Sequence, residues 1–171
     1  MTRAYRRCTI LWLAFAVQLP SAVCAQESSA TADKTEDATP LLLPAAPARE
    51  NLLSFYVSPQ ATMNFAIDAP SVSVTPDGVV RFTLVITSTE GARNVSHEGI
   101  RCKTGERKLY ATGGADGNWS ASRNDAWSQI RDVGANRQYA ALYKDYFCEF
   151  GSVAGNAASI VKRIRQKKTL R

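Results

Sequence analysis

A strand, a tight turn and a second strand, over residues 71–88, constrain the fold of this chain more than any other segment. Residues 71–75 alternate polar and apolar side chains with period two. Pro76-Asp77-Gly78 then supplies a turn, because proline fixes φ and glycine accepts positive φ. The second strand carries apolar residues on one face: Val80, Phe82, Leu84 and Ile86. The segment therefore predicts an antiparallel pair with one apolar face.

Two more strands are predicted after this pair, over residues 94–102 and 108–112. Val95 and Ile100 cannot share one face of a regular strand, so we expect a β-bulge near Glu98-Gly99. The sheet is therefore predicted to be an antiparallel meander of about four strands.

The hydrophobic period then changes from two to about 3.6, which is typical of helices. One helix is predicted from an N-cap at Asn136 to a stop at Gly151. Its apolar face would consist of Tyr139, Leu142, Tyr143, Tyr146, Phe147 and Phe150. A short helix over residues 125–132 and a last helix over residues 157–168 are also expected. Strands followed by helices predict a single α+β domain, with C-terminal helices packed on one face of the sheet.

Residues 1–25 have the layout of a secretory signal peptide. The positive charges come first, at Arg3, Arg6 and Arg7. An apolar stretch, Pro20 and the small-residue site Val23-Cys24-Ala25 follow. The apolar stretch ends near Leu19, short of the roughly 20 residues of a transmembrane helix, so a retained anchor is disfavoured. Cleavage after Ala25 would place the mature chain in the periplasm.

Basic residues are concentrated at the C-terminus of the mature chain. Without residues 1–25 the chain has 18 basic and 15 acidic side chains, so its net charge is +3 rather than +6. Six of the basic residues lie in the last ten positions: Lys162, Arg163, Arg165, Lys167, Lys168 and Arg171. The rest of the mature chain has a net charge of −3, so no nucleic-acid partner is expected. The basic tail is either a solvated helix face or a weak contact for anionic lipid or cell-wall phosphate.

Cys102 and Cys148 are the two cysteines that remain after cleavage. An even pair in an oxidising compartment most simply forms a disulfide. Their wide spacing is unlike the Cys-x-x-Cys pattern of redox sites. We therefore expect a structural bridge between a strand end and the end of the aromatic helix.

The chain divides into four predicted segments: a signal peptide (1–25), a flexible leader rich in Ala, Ser and Pro (26–51), a globular α+β domain (52–155) and a basic C-terminal helix or tail (156–171). Three leucines interrupt the polar leader between Pro40 and Pro44. We expect them to cover an apolar patch of the body; binding a partner is the alternative.

Several motifs, in order along the body, resemble one known family. They are Ile67-Asp68, Ser71, residues 77–85, residues 91–95, residues 98–102, Trp119, Trp127 and residues 142–148. Together they are similar to the cryptic neisserial protein-like domain of exported proteobacterial proteins, over about residues 52–148. The resemblance implies this fold class and an exported location, and it implies no established activity.

Enzyme chemistry has little support in these residues. His97 is the only histidine, which excludes multi-histidine metal sites. No Gly-x-Ser-x-Gly nucleophile elbow is present. We expect His97 to be a solvated or hydrogen-bonded strand residue, and we predict no catalytic residue, metal site or cofactor.

Two residue groups are candidates for binding. Arg81, Glu98 and Arg101 could place one carboxylate between two guanidinium groups, as a structural ion-pair network or as a small anion or carboxylate site. A second group either packs in the core or lines a groove for glycans or peptides. It consists of Trp119, Trp127, Tyr139, Tyr143 and Tyr146.

The functional hypothesis is a non-enzymatic exported module that binds an unknown envelope protein or ligand. The alternative is a small envelope hydrolase or transferase acting on glycan or peptide. A flat charged sheet face favours the first hypothesis. A pocket lined by Asp, Glu or His beside a hydrogen-bond donor favours the second.

Overall fold

A computed structural model describes residues 40–124 and 126–171, which form an antiparallel seven-stranded sheet with helices on one face. The strands are β1 (Leu52–Ser54), β2 (Asn64–Val74), β3 (Val79–Thr87), β4 (Arg93–Arg101), β5 (Glu106–Gly113), β6 (Trp119–Ala121) and β7 (Ser128–Gln129). Strands β1 to β6 lie side by side in chain order, and β7 pairs with the start of β5. The α+β prediction is confirmed, but the meander is longer than the four strands expected. The predicted signal peptide lies outside the described residues.

The hairpin of β2 and β3 forms the centre of the sheet, as the alternation predicts. Val80, Phe82 and Leu84 are fully buried, and Ile86 packs at the edge of the same core. Burying a large apolar side chain contributes roughly 1.5–3 kcal/mol, so this face is the main source of stability.

The expected irregularity in the sheet falls on β5 rather than on β4. His97 pairs with Ala111 and Glu98 with Leu109, so Tyr110 is the extra residue. Strand β4 itself stays in regular register with β3. Gly99 makes room for this bulge, because a Cβ atom there would lie 2.7 Å from the Tyr110 hydroxyl oxygen.

The aromatic helix is shorter than predicted and changes its geometry halfway. Helix α1 (Arg137–Ala141) continues as a π-helical segment (Leu142–Phe147), and a small hairpin of β8 (Cys148–Glu149) and β9 (Ser152–Val153) follows. The wider π turn lets the adjacent residues Tyr146 and Phe147 both enter the core. The prediction of a helix up to Gly151 is therefore wrong.

The last helix, α2 (Ala157–Arg165), ends three residues before the predicted end at residue 168. Asn156 and Ser159 form a capping box at its start, each side chain accepting from the other's backbone N–H. Ile160 and Ile164 pack in the core. The short helix predicted over residues 125–132 is also wrong, because β7 occupies that segment.

A disulfide joins Cys102, directly after β4, to Cys148 at the start of β8, with 5.4 Å between the two Cα atoms. The bridge predicted from the cysteine count is confirmed. It ties the sheet to the helical layer across a separation of 46 residues. In the described ranges, no helix has the length and apolar character needed to cross a membrane.

Candidate functional site

Strand register decides which candidate residues can meet. Glu98 lies opposite Phe82, and Phe82 packs edge-to-face on Phe147 at 5.1 Å between ring centroids. Glu98 therefore points toward the helices. Side chains alternate between the two sides of a strand. Arg81 is one residue from Phe82 and Arg101 is three residues from Glu98, so both arginines point to the other side of the sheet, which we call the outer face. The structure thus does not gather Arg81, Glu98 and Arg101 around one carboxylate.

Glu98 instead belongs to a buried polar cluster between the sheet and α1. Its carboxylate accepts hydrogen bonds from the Ser96 hydroxyl, from the Tyr139 hydroxyl at 3.0 Å and from Arg107 at 3.4 Å. The Arg107 guanidinium lies 4.2 Å from the centroid of the Tyr139 ring. Burial raises the pKa of Glu98, although these hydrogen bonds and the Arg107 charge act in the opposite direction. Only 1% of Glu98 is exposed, so the cluster ties α1 to the sheet and offers no open surface to a ligand.

Glu98→Gln is expected to lower the free energy of unfolding by about 1 kcal/mol, because the amide can still accept from Tyr139 and Ser96. Glu98→Ala should lower it by about 2 kcal/mol, because both hydroxyls lose their acceptor. Urea unfolding of both variants measures the difference. Glu106→Gln is the control, since Glu106 pairs with Arg101 at 3.3 Å in a partly exposed position and contributes less than about 1 kcal/mol. Equal losses in the two Glu98 variants would contradict the assigned hydrogen bonds.

The outer face carries a row of cations stacked on aromatic rings. The Arg101 guanidinium lies 4.3 Å from the ring centroid of Trp127, and Lys108 Nζ lies 5.8 Å from the same centroid. Lys108 Nζ is also 5.7 Å from the Tyr110 ring, and the Arg81 guanidinium is 5.4 Å from it. Cation–π contacts at such distances contribute about 0.5–1 kcal/mol at exposed sites. The row is a basic and aromatic surface.

His97 is buried at the centre of the outer face, where 2% of it is exposed. Its Nδ1 lies 3.2 Å from the Thr83 hydroxyl, and its ring meets the edge of Trp119 at 6.1 Å between centroids. Burial, helped by the charge of Arg81, lowers the pKa of His97 to about 4. His97 is therefore neutral at pH 7 and hydrogen-bonded; the solvated alternative is wrong.

The outer face is covered in part by the chain's own leader. Arg81 donates a hydrogen bond to the carbonyl oxygen of Pro40 at 3.2 Å, and the Trp119 indole N–H donates to that of Pro44 at 2.7 Å. Residues 40–48 have no regular secondary structure. The sheet thus holds this segment through backbone carbonyls.

The three leucines of this segment are exposed to different degrees, and Leu42 is by far the most exposed. Their exposed fractions are 40% for Leu41, 84% for Leu42 and 40% for Leu43. The expectation that all three leucines cover an apolar patch is therefore wrong for Leu42, which the two carbonyl contacts leave in solvent.

Space remains between the leader and the sheet. A cavity of about 340 Å³ lies there, bordered by the leader on one side and by polar and apolar residues of the sheet on the other. Its sheet side includes Ser71, Ser73, Arg81 and His97. The leader therefore spans a cleft of mixed polarity instead of packing tightly against the sheet.

The aromatic candidates divide between core and surface. Tyr139 and Tyr146 are buried in the core, and Tyr143 is half-buried, with its hydroxyl donating to the Cys102 carbonyl oxygen at 3.2 Å. Trp119 and Trp127 are half-buried on the outer face. Helical spacing identified the core members, whereas no periodicity in the sequence marked the two tryptophans as surface residues.

The basic C-terminal residues do not share one role. Lys162, Arg165, Lys167 and Lys168 are exposed. Arg163 is half-buried and structural, because it donates hydrogen bonds to the carbonyl oxygens of Tyr146 and Ala154. In the described part of the chain, no three or more His, Cys, Asp or Glu side chains are grouped to hold a metal ion.

These features describe a small, disulfide-bonded α+β protein whose outer sheet face is basic and aromatic and is covered in part by the leader. The family model of the CNP1-like family matches residues 31–165, most of the sequence, and the chain belongs to this family. The resemblance found in the sequence motifs is thereby confirmed.

A curated relative is Cryptic neisserial protein 1 of Neisseria gonorrhoeae (strain ATCC 700825 / FA 1090). It is 28% identical over 113 residues, which cover 59% of this chain and 55% of the relative. The chain thus matches about half the length of that relative. No solved structure matches the chain.

Proposed function

We propose that this chain is an exported, non-enzymatic module whose outer face binds an extended, proline-containing peptide segment of an envelope protein. The observation that carries the proposal is the docking of residues 40–47 through the carbonyl oxygens of Pro40 and Pro44. A face that holds one extended segment by its backbone has the chemistry to hold another. The predicted signal peptide and the disulfide support an exported location.

Peptide is favoured over glycan as the ligand class because Arg81 and Trp119 donate hydrogen bonds to carbonyl oxygens that lie four residues apart along one chain. Proline before and after the leucines restricts the backbone to extended conformations, so little entropy is lost on binding. Trp119 presents an indole N–H and an aromatic face together, as in grooves that bind proline-rich segments. The high exposure of Leu42 implies that the face does not select for the side chain at this position.

The proposal is tested with a chain that begins at Ala48, four residues before β1, so that every strand is retained. Cooperative thermal unfolding first establishes that this chain is folded. A synthetic peptide of residues 34–48 is then titrated, and its binding is measured by isothermal titration calorimetry. We expect saturable binding, and we expect a peptide with serine at position 42 to bind within about threefold, because 84% of Leu42 is exposed.

Trp119→Phe is the informative variant, because it keeps an aromatic ring and removes the indole donor. It should weaken binding about fivefold, the value of one hydrogen bond. Trp127→Phe is the matched control and should bind like the unaltered chain, since Trp127 contacts Arg101 and Lys108 rather than the leader. No saturable binding, or equal weakening by both variants, would contradict the proposal.

A further inference from the structure

The tip of the β8–β9 hairpin carries an aromatic residue that nothing in the described chain explains. Phe150 and Gly151 form the two-residue turn, with φ of 48° and 74°. Hairpin turns of this kind favour Asn-Gly, because a left-handed φ is unfavourable for a bulky side chain. Phe150 is nevertheless 100% exposed, so its position is costly for the backbone and gains no burial within this chain.

Cations lie beside this exposed ring. Phe150 borders a depression of about 470 Å³ together with Lys144, Leu170 and Arg171. Arg171 donates hydrogen bonds to the Lys144 carbonyl oxygen, at 3.3 Å from Nη2, and Leu170 donates its backbone N–H to the Asp145 carbonyl oxygen at 2.9 Å. The last two residues, Leu170 and Arg171, are therefore held against the π-helical segment, next to the hairpin.

The charge balance of this end is strongly positive. Residues 142–171 contain seven basic side chains and two acidic ones, Asp145 and Glu149. Asp145 is 3.8 Å from Arg171, and Glu149 is exposed beside Phe150. Arg171 follows Leu170, and four exposed basic residues precede it: Lys162, Arg165, Lys167 and Lys168. Asp132 also lies here, 2.8 Å from Lys144 Nζ. An anionic partner is attracted to this end, because these three acids offset only part of the field.

We propose that the Phe150 hairpin tip and the basic C-terminal residues form a docking surface for an anionic phospholipid bilayer. Lysine and arginine side chains would contact the headgroup phosphates, and the phenylalanine ring would enter the boundary between headgroups and acyl chains. A fluid bilayer fits a single protruding ring better than a rigid protein does, because a protein would need a preformed pocket for it. This surface is separate from the outer face and does not depend on the proposed function.

The proposal is tested by co-sedimentation of the disulfide-bonded chain from Gln26 with vesicles. We expect binding to vesicles of mixed phosphatidylglycerol and phosphatidylcholine, weakened by added salt, and little binding to phosphatidylcholine alone. Phe150→Asn is the main variant, because asparagine tolerates the positive φ of the turn and should keep or raise the thermal midpoint. It is expected to reduce vesicle affinity about tenfold, from the loss of partial burial of the ring.

A second variant, Lys167→Asn with Lys168→Gln, removes two exposed charges, and asparagine suits the φ of 52° at residue 167. It should reduce affinity about thirtyfold, because each cation near an anionic bilayer raises the affinity about fivefold. Leu42→Asn is the matched control, because Leu42 is also highly exposed but lies in the leader.

Three outcomes would overturn the proposal. One is Phe150→Asn binding vesicles as tightly as the unaltered chain. Another is equal binding to neutral and anionic vesicles. The third is binding to soluble polyphosphate without binding to vesicles, which would assign the basic residues to free phosphate.

Discussion

Reduction of the Cys102–Cys148 disulfide is expected to lower the free energy of unfolding by about 4 kcal/mol. The bridge closes a loop of 46 residues, and closing a loop of this length removes that much entropy from the unfolded chain in the loop-entropy model. Both cysteines are buried, and the bond holds the helical layer on the sheet. Urea unfolding with and without a thiol reductant measures the loss.

The control for this prediction is the double variant Cys102→Ala plus Cys148→Ala. Its unfolding midpoint should match that of the reduced chain and should not respond to reductant. If reductant leaves the midpoint of the unaltered chain unchanged, the bridge contributes nothing to stability and the prediction is wrong.

Acid is expected to destabilise the folded chain through His97 by about 3 kcal/mol. The pKa of His97 falls from its ordinary value of 6.5 to about 4 because the ring is buried and lies near Arg81. As the pH falls, His97 therefore takes up its proton at a higher pH in the unfolded chain than in the folded chain. The stability that comes from keeping His97 neutral is fully present above pH 6.5 and is lost as the pH falls toward 4.

The variant His97→Gln isolates this effect, because an amide can still bond to Thr83 but does not titrate. The raised pKa of Glu98 increases the stability of the folded chain as the pH falls, and this effect is the same in both chains. Urea unfolding from pH 7.5 to pH 4 should show the unaltered chain losing about 3 kcal/mol relative to His97→Gln. Parallel stability curves for the two chains would contradict the assignment of a buried, neutral histidine.

The central hairpin of β2 and β3 could be predicted because residues close together in the sequence specify it. The alternation of Val80, Phe82 and Leu84 specifies one buried face, and the Pro76-Asp77-Gly78 turn specifies the reversal. The short strands β1, β6 and β7 were not predicted, because two or three residues carry too little pattern to be separated from loops.

The aromatic helix shows where periodicity misleads. Residues from Tyr139 to Phe150 fit one helical face, yet Phe150 lies at a hairpin tip in solvent. The π-helical turn and the disulfide at Cys148 redirect the chain, and neither has a signature in the spacing of apolar residues. Tertiary constraints overrode the local pattern here.

The grouping of Arg81, Glu98 and Arg101 depended on the position of one bulge. Residues 98 and 101 are three apart and face opposite sides of a regular strand. An extra residue in β4 would have brought them to one face, but the extra residue is Tyr110 in β5. The identity of the bulged strand depends on cross-strand pairing, which the sequence of β4 alone does not reveal.

The most direct test of the peptide-binding face is the indole N–H resonance of Trp119 in a proton–nitrogen NMR spectrum. The chain from Gln26 has two tryptophans, so Trp127→Phe leaves a single indole signal that belongs to Trp119. In the chain that begins at Ala48, this signal should lie at a different position, and the peptide of residues 34–48 should return it toward its position in the longer chain. If the signal is the same in all three samples, the outer face does not hold the segment through Trp119, and the account of this face as a peptide-binding surface is wrong.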